Sequence, residues 1–150
     1  MFFLNKSRME GRVSLYCLVF TSVATRKIID EDLKRLLAKS RQNNLALNIT
    51  GMLLYLDPYF MQILEGDERI VHEKFNIISN NEMHHKVSLI YKQPIEERSF
   101  SKWTMGFNKI GIEYFEDAKN LTEIYKNEAF KKHPKEVIEL LEMFKDETLF

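Results

Sequence analysis

The chain has 150 residues, 45% of them hydrophobic and 29% charged, and its 22 basic and 22 acidic side chains cancel. That length suits one domain with a substantial core, and the zero net charge leaves no whole-chain electrostatic footprint for nucleic acid. With Cys17 as its one cysteine the chain has no internal disulfide, which fits a reducing compartment.

Residues 1–12 read as a polar, loosely ordered lead-in. Met1 to Lys6 holds too short an apolar stretch for a secretory signal. No apolar run nears the roughly 20 residues of a membrane span, so the expected location is the cytoplasm. Ser14 to Thr21 is predicted as a strand, with Tyr16, Leu18 and Phe20 on one face and Cys17 and Val19 on the other. No histidine falls near Cys17 in this strand, so it reads as a buried thiol, not a nucleophile. Asp30 is expected to cap a helix whose inward positions are Leu33, Leu36 and Leu37. The same stripe continues to Ser40 and Asn44, so a core-building face turns polar in its last turns. The basic residues Lys34, Arg35, Lys39 and Arg41 read as a solvated helix face, with phosphate contact as the sharper alternative.

Gly51 to Leu56 and Tyr59 to Leu64 form a predicted hairpin about Asp57-Pro58. Its second strand puts Phe60, Gln62 and Leu64 on one face. A carboxamide between two large apolar neighbours needs a partner, since an unsatisfied buried polar group costs about 1–3 kcal/mol. Backbone can satisfy it. So can a heteroaromatic ligand whose edge carries both a donor and an acceptor. Asp67 is expected to cap the next helix, with Ile70, Val71, Phe75 and Ile78 inward and Asn80-Asn81-Glu82 closing it. Val87 to Tyr91 is a fourth strand, and Trp103, Met105 and Phe107 alternate along a fifth. Beyond them Leu121, Ile124 and Tyr125 mark one helix, and Val137, Leu140, Leu141 and Phe144, after His133-Pro134, mark another.

The predicted class is α+β, a ferredoxin-like β-α-β-β-α-β-β sandwich with two C-terminal helices. Its parts are a lead-in (1–12), a ligand-binding domain (13–110) and a helical extension (111–150). The two C-terminal helices are expected to cover the open sheet face or to dock a partner. His84-His85 is a weak metal signal, with no cysteine or carboxylate cluster beside it, and no metal is expected. The five glycines form no G-x-G-x-x-G fingerprint, which excludes dinucleotide binding in the Rossmann manner.

Ser40, Asn43 and Asn44 at the end of the first helix converge with Gln62 and with Trp103-Thr104-Met105. A flat ligand between helices and sheet would meet Asn44 on one edge and Gln62 on another. Asn43-Asn44, Ile49-Thr50-Gly51-Met52-Leu53, Phe60-Met61-Gln62-Ile63-Leu64-Glu65-Gly66, His84-His85 and Glu97-Arg98-Ser99-Phe100-Ser101-Lys102-Trp103-Thr104-Met105 follow in this order. Together they resemble the BLUF family, blue-light sensors using FAD, over residues 14–110. The two trailing helices are similar to those of its short stand-alone members.

The resemblance implies a blue-light photoreceptor, not an enzyme, holding FAD, or FMN or riboflavin through the same ring. By position, Asn44 would bond the pyrimidine edge of the isoalloxazine, with Asn43 and Ser40 nearby. Leu36, Ile49, Phe60 and Leu64 would wall the ring. Gln62 would bond it near N5 and the C4 carbonyl and rearrange after excitation, while Trp103 and Met105 exchange places or partners. His84, with Lys39 and Arg41, would lie near the phosphates, although Met83 stands where the family often has Arg. A downstream signalling protein and a homo-oligomer are implied, with neither nucleic acid nor membrane as a partner.

One position departs from the pattern. The family places a tyrosine 24 residues before the second Asn, and here that residue is Phe20. That tyrosine bonds the glutamine and gives an electron and a proton to excited flavin. Phenylalanine has no hydroxyl proton and is far harder to oxidise. Tyr16 shares the strand face but lies about 13 Å away at ~3.3 Å per residue. The sequence therefore predicts retained flavin with impaired photochemistry. Two rivals remain: a light-independent flavin-binding interaction module, and a small phosphate-ester hydrolase that lacks an evident nucleophile–base pair.

Overall fold

A computed structural model describes residues 15–110 and 134–150. Along the chain follow β1 (Leu15–Ala24), α1 (Asp30–Leu47), β2 (Thr50–Leu56), β3 (Tyr59–Asp67), α2 (Glu68–Ser79), β4 (His84–Pro94), β5 (Gly106–Lys109) and α3 (Pro134–Glu142). The β-α-β-β-α-β-β order is the one expected. The strands form one five-stranded sheet in the order β4-β1-β3-β2-β5. β1 runs antiparallel to β3 and β4, and β2 antiparallel to β3. β5 lies parallel to β2 at the edge, which makes the sheet mixed.

The central strands are apolar on both faces because both faces are covered. On one face Leu18, Phe20, Leu53, Phe60 and Leu64 pack with Leu33 and Leu37 of α1 and Val71 of α2. On the other, Cys17, Val19, Met52, Leu54, Met61 and Ile63 pack with Val137, Leu140, Leu141 and Phe144. The last predicted helical stripe thus covers the sheet face opposite α1 and α2. The helix expected around Leu121, Ile124 and Tyr125, and the lead-in 1–12, lie outside the described residues. No helix among the described residues is long and apolar enough to cross a membrane.

Several boundaries differ from the sequence reading. Asp30 is not a cap: Ile29 occupies the N-cap with no side-chain hydrogen bond, and Asp30 opens the helix. Asp30, Glu31 and Asp32 fill the first turn, where carboxylates meet the positive end of the helix dipole, and Asp30 also pairs with Lys109. Asp67 does cap α2, accepting from Ile70 N. β1 and β4 are longer than expected because their pairing runs from Tyr16↔Pro94 to Ala24↔His84.

The fifth strand differs most. It starts at Gly106, so Trp103 and Met105 precede it. Glu65 and Arg98 hold the segment out of the sheet: Glu65 accepts from the backbone N–H groups of Ser99 (2.8 Å) and Phe100 (2.9 Å). Arg98 donates to the carbonyls of Asn48 (2.8 Å) and Glu65 (3.1 Å). A turn follows, with Trp103 N–H on the Phe100 carbonyl and the Trp103 carbonyl accepting from Gly51. Alternation fails across this turn, so Trp103 joins the α3-side cluster while Met105 joins the α1–α2 side. The approach at Gly51 is close enough that a Cβ there would run into the Ile63 carbonyl.

Residues 144–150 return along β5. Leu149 N–H donates to the Phe107 carbonyl at 2.7 Å, Asn108 Nδ2 to the Glu147 carbonyl at 2.9 Å, and Trp103 Nε1 to the Lys145 carbonyl at 2.7 Å. The Phe150 ring stacks on Phe107, with centroids 5.6 Å apart. β5 is therefore not a bare edge.

Candidate functional site

The polar end of the α1 stripe brings Asn44 wholly inside. Its Nδ2 donates to the Thr104 carbonyl at 2.7 Å, and its Oδ1 is buried without a hydrogen-bond partner. On β3, Gln62 lies opposite Phe20 of β1 and Leu53 of β2 and is 8% exposed. Its Nε2 meets Met105 Sδ at 3.6 Å, a weak acceptor. Both carboxamides thus lean on Thr104-Met105 and keep hydrogen-bonding capacity in reserve. In a native interior such unmet capacity is uncommon.

Beside them is a cavity of about 170 Å³ between α1, α2 and the sheet. Among the predicted site residues, Leu36, Lys39, Ser40 and Asn43 line it from α1, Phe60 and Gln62 from β3, His84 from β4 and Met105 from the segment before β5. Asn44, Ile49 and Leu64 are buried and do not line it. Phe20 is 1% exposed in the core, its ring 5.0 Å from that of Phe75. Trp103 is on the opposite side of the sheet. A ligand pocket usually offers about 300–1,000 Å³, so this space would enclose the ring part of a larger ligand.

His84 is anchored at both nitrogens: Nδ1 is 2.7 Å from Ser22 Oγ and Nε2 is 2.6 Å from the Ile78 carbonyl. A carbonyl only accepts, so Nε2 carries a hydrogen. Neither nitrogen is free for a phosphate. The Ser22–His84 contact has the spacing of a nucleophile–base pair, and both residues line the cavity. Ser22, however, is 1% exposed, and the other imidazole nitrogen meets a backbone carbonyl in place of an orienting carboxylate. Among the described residues no three His, Cys, Asp or Glu side chains gather as a metal site.

Arg41 belongs elsewhere than the phosphate end. Its Nε donates to the Met105 carbonyl at 2.7 Å, Nη1 to the Phe150 carbonyl at 3.1 Å and Nη2 to Thr148 Oγ1 at 3.2 Å. One helical turn before Asn44, it shares the face that meets the 104–105 segment. Burial lowers its pKa from the ordinary arginine value. Arg41 thereby ties the Met105 backbone to residues 148–150.

Two further residues escape the sequence pattern. Lys74 is 8% exposed and lines the cavity from α2. Its position between Val71 and Ile78 on the inward stripe is the signal that marks it, a lysine on an apolar face. Glu65 is 1% exposed. Burial pushes its pKa up, against the opposing pull of hydrogen bonds from Ser99, Phe100 and Thr50.

Chemically, the site offers two buried carboxamides, apolar walls and a slot suited to a flat ring with mixed donor and acceptor edges. Comparison with known proteins agrees. The family model described as sensors of blue-light using FAD matches residues 15–106. Over 96 residues the chain is 32% identical to photoactivated adenylate cyclase subunit beta of Euglena longa, covering 63% of this chain and 11% of that protein. The chain thus spans about a tenth of that relative. The dark-state structure of BlrB, a BLUF protein, superposes with a TM-score of 0.67 at 25% identity, covering 85% of this chain and 98% of BlrB. Klebsiella pneumoniae BlrP1 with FMN and cyclic diGMP gives 0.59 at 29% identity, over 75% of this chain and 28% of that one.

Proposed function

The chain belongs to the BLUF family, sensors of blue light using FAD, and from that premise we propose a flavin-holding sensor domain whose light response is blocked at Phe20. A flavin fits the residues present. Asn44 would take one polar edge by turning its orphaned Oδ1 toward the cavity that Ser40 and Asn43 line, Gln62 would take another, and Leu36 and Phe60 would wall the ring. FAD is the family's cofactor by its description, and BlrP1 holds FMN. When bound, the flavin supplies blue-light absorption and an excited ring able to draw an electron and a proton from a neighbouring phenol.

The observation that carries the proposal is the register Phe20↔Gln62. Directly opposed side chains stand about 4.5–5.5 Å apart at Cβ, so residue 20 is the β1 neighbour of the glutamine. Neither Tyr16 nor Tyr55 substitutes for a phenol there. Tyr16 pairs with Gly66, four residues along β1, with its ring 5.3 Å from His72. Tyr55 donates to Asp57 at 2.7 Å in the hairpin turn. Phe20 offers neither proton nor readily removed electron, so Gln62 has no trigger.

The proposed output runs from Gln62 through Met105 to β5 and the C-terminal segment, and on to a partner protein. Arg41 supports it by joining the Met105 carbonyl to Thr148 and Phe150. The parts remain a sensor over 13–110 and a helical extension over 111–150, in a cytoplasmic homo-oligomer, with no catalysis by the sensor itself. Steady blue illumination of the flavin-loaded protein tests the block. The absorption spectrum should show no reversible red shift, and Phe20→Tyr should restore one; a normal shift with Phe20 in place refutes the proposal. Phe20 also favours the rival of a light-independent flavin module. In that case Phe20→Tyr changes the spectrum while partner binding stays equal in light and dark.

A further inference from the structure

The cavity carries an unbalanced charge. Lys74 from α2 and Lys39 from α1 both line it, and among the described residues no carboxylate does, although the whole chain is neutral. Lys39 is solvent-exposed, whereas Lys74 is 92% buried, given its 8% exposure. Among the described residues Lys74 has neither a hydrogen bond nor an ion pair. Its stem is packed away while its ammonium keeps some exposure toward the cavity it lines, and a cation so far withdrawn from bulk water with no counter-ion is costly. Desolvation and then the charge of Lys39 both lower its pKa, as befits a cation lacking its counter-ion. The neighbouring His84 is engaged at both nitrogens and Met83 adds no charge, so among the described residues these lysines are the cavity's available cations.

We propose that Lys74, assisted by Lys39, is an anion seat for the ribityl phosphate of the bound flavin nucleotide, so that this chain selects FMN and FAD over riboflavin. The inference rests on the flavin reading above and adds to it the part of the ligand that sets the choice. α1 and α2 each present one of the two lysines to the cavity, and the carboxamides and apolar walls would serve the ring. Riboflavin has no phosphate and would leave Lys74 as uncompensated as it is now.

The test is a titration of the full chain, stripped of flavin, with riboflavin, FMN and FAD in the dark, read by flavin fluorescence anisotropy. A charge-assisted contact at a shielded site should make FMN and FAD bind roughly 10- to 100-fold tighter than riboflavin. Lys74→Met should remove most of that advantage while leaving riboflavin affinity within about twofold, which also shows that the variant is folded. Lys74→Arg should retain the preference, and Lys39→Met should reduce it by less. Equal binding of FMN and riboflavin by the unaltered chain overturns the seat and leaves the flavin reading standing. So does an unchanged ratio in Lys74→Met. Failure of all three flavins to bind overturns the flavin reading and the seat together.

Discussion

Asn44 is a side chain at which the proposed flavin binding can be separated from folding. Its Nδ2–Thr104 bond is an ordinary stabilising contact of about 1 kcal/mol net, whereas its buried Oδ1 gains nothing in the ligand-free chain. Asn44→Leu should therefore lower ligand-free stability by only about 1–2 kcal/mol. The same change should weaken flavin binding by roughly tenfold or more, because the ring loses a buried acceptor. Urea unfolding without flavin and an FMN titration measure the two effects separately, and equal losses in both would make Asn44 merely structural. At this scale Gln62 and Asn44 were legible because amides on otherwise apolar stripes stand out. Lys74 was equally visible in principle, but a long aliphatic side chain usually snorkels to water. Only the folded chain shows that this one leads into a cavity and not onto the open surface.

Elements were readable where periodicity ran uninterrupted and failed where a tertiary contact broke it. β3 and α2 follow their patterns, and Asp67 caps as its residue type suggests. Trp103 and Met105 alternate in sequence but not in space, because the segment before β5 is held as a turn by Glu65 and Arg98. Nothing local announces that a glutamate 34 residues from Ser99 will bind its backbone. Glu65→Ala should leave the buried Phe100 N–H and the neighbouring Ser99 N–H without acceptors, lowering stability by about 3 kcal/mol in urea unfolding. It should also free the Trp103 fluorescence from its fixed environment. The pH dependence has a definite sign. The folded-state pKa of Glu65 lies above its ordinary 4.5, so its contribution is fully present below that value. It is then lost as pH rises through the raised one. Relative to Glu65→Gln, the unaltered chain should lose stability as pH climbs out of the carboxylate range; a difference that is flat with pH would mean the carboxyl is not desolvated.

For the whole molecule, the sheet is closed on both sides by different parts of the chain, and the sequence leaves open which side α3 would take. The stripe of Val137, Leu140, Leu141 and Phe144 identifies an amphipathic helix, yet periodicity says which residues are inward and not what they face. The deciding fact is that α1 and α2 already occupy the Phe20–Gln62 face, leaving the Cys17–Val19 face for α3. Cys17 can report on this cover. It is 4% exposed, and burial first, then the nearby Glu65, push its thiol up to about 11, so little thiolate exists at neutral pH. Truncating the fully buried Leu141 to alanine should cost about 2–5 kcal/mol. Most of that loss should appear as easier undocking of α3. Maleimide labelling of Cys17, slow in the unaltered chain, should then accelerate at least ~10-fold at pH 7 in the absence of denaturant. Leu37→Ala, an equally buried change on the opposite face, serves as the comparison. If it accelerates labelling just as much for the same loss of stability, the thiol is reached only by global unfolding and α3 is not a separable cover. If Leu141→Ala alone does so, the two faces open independently, and the α3 side can move without dismantling the cavity that holds Gln62.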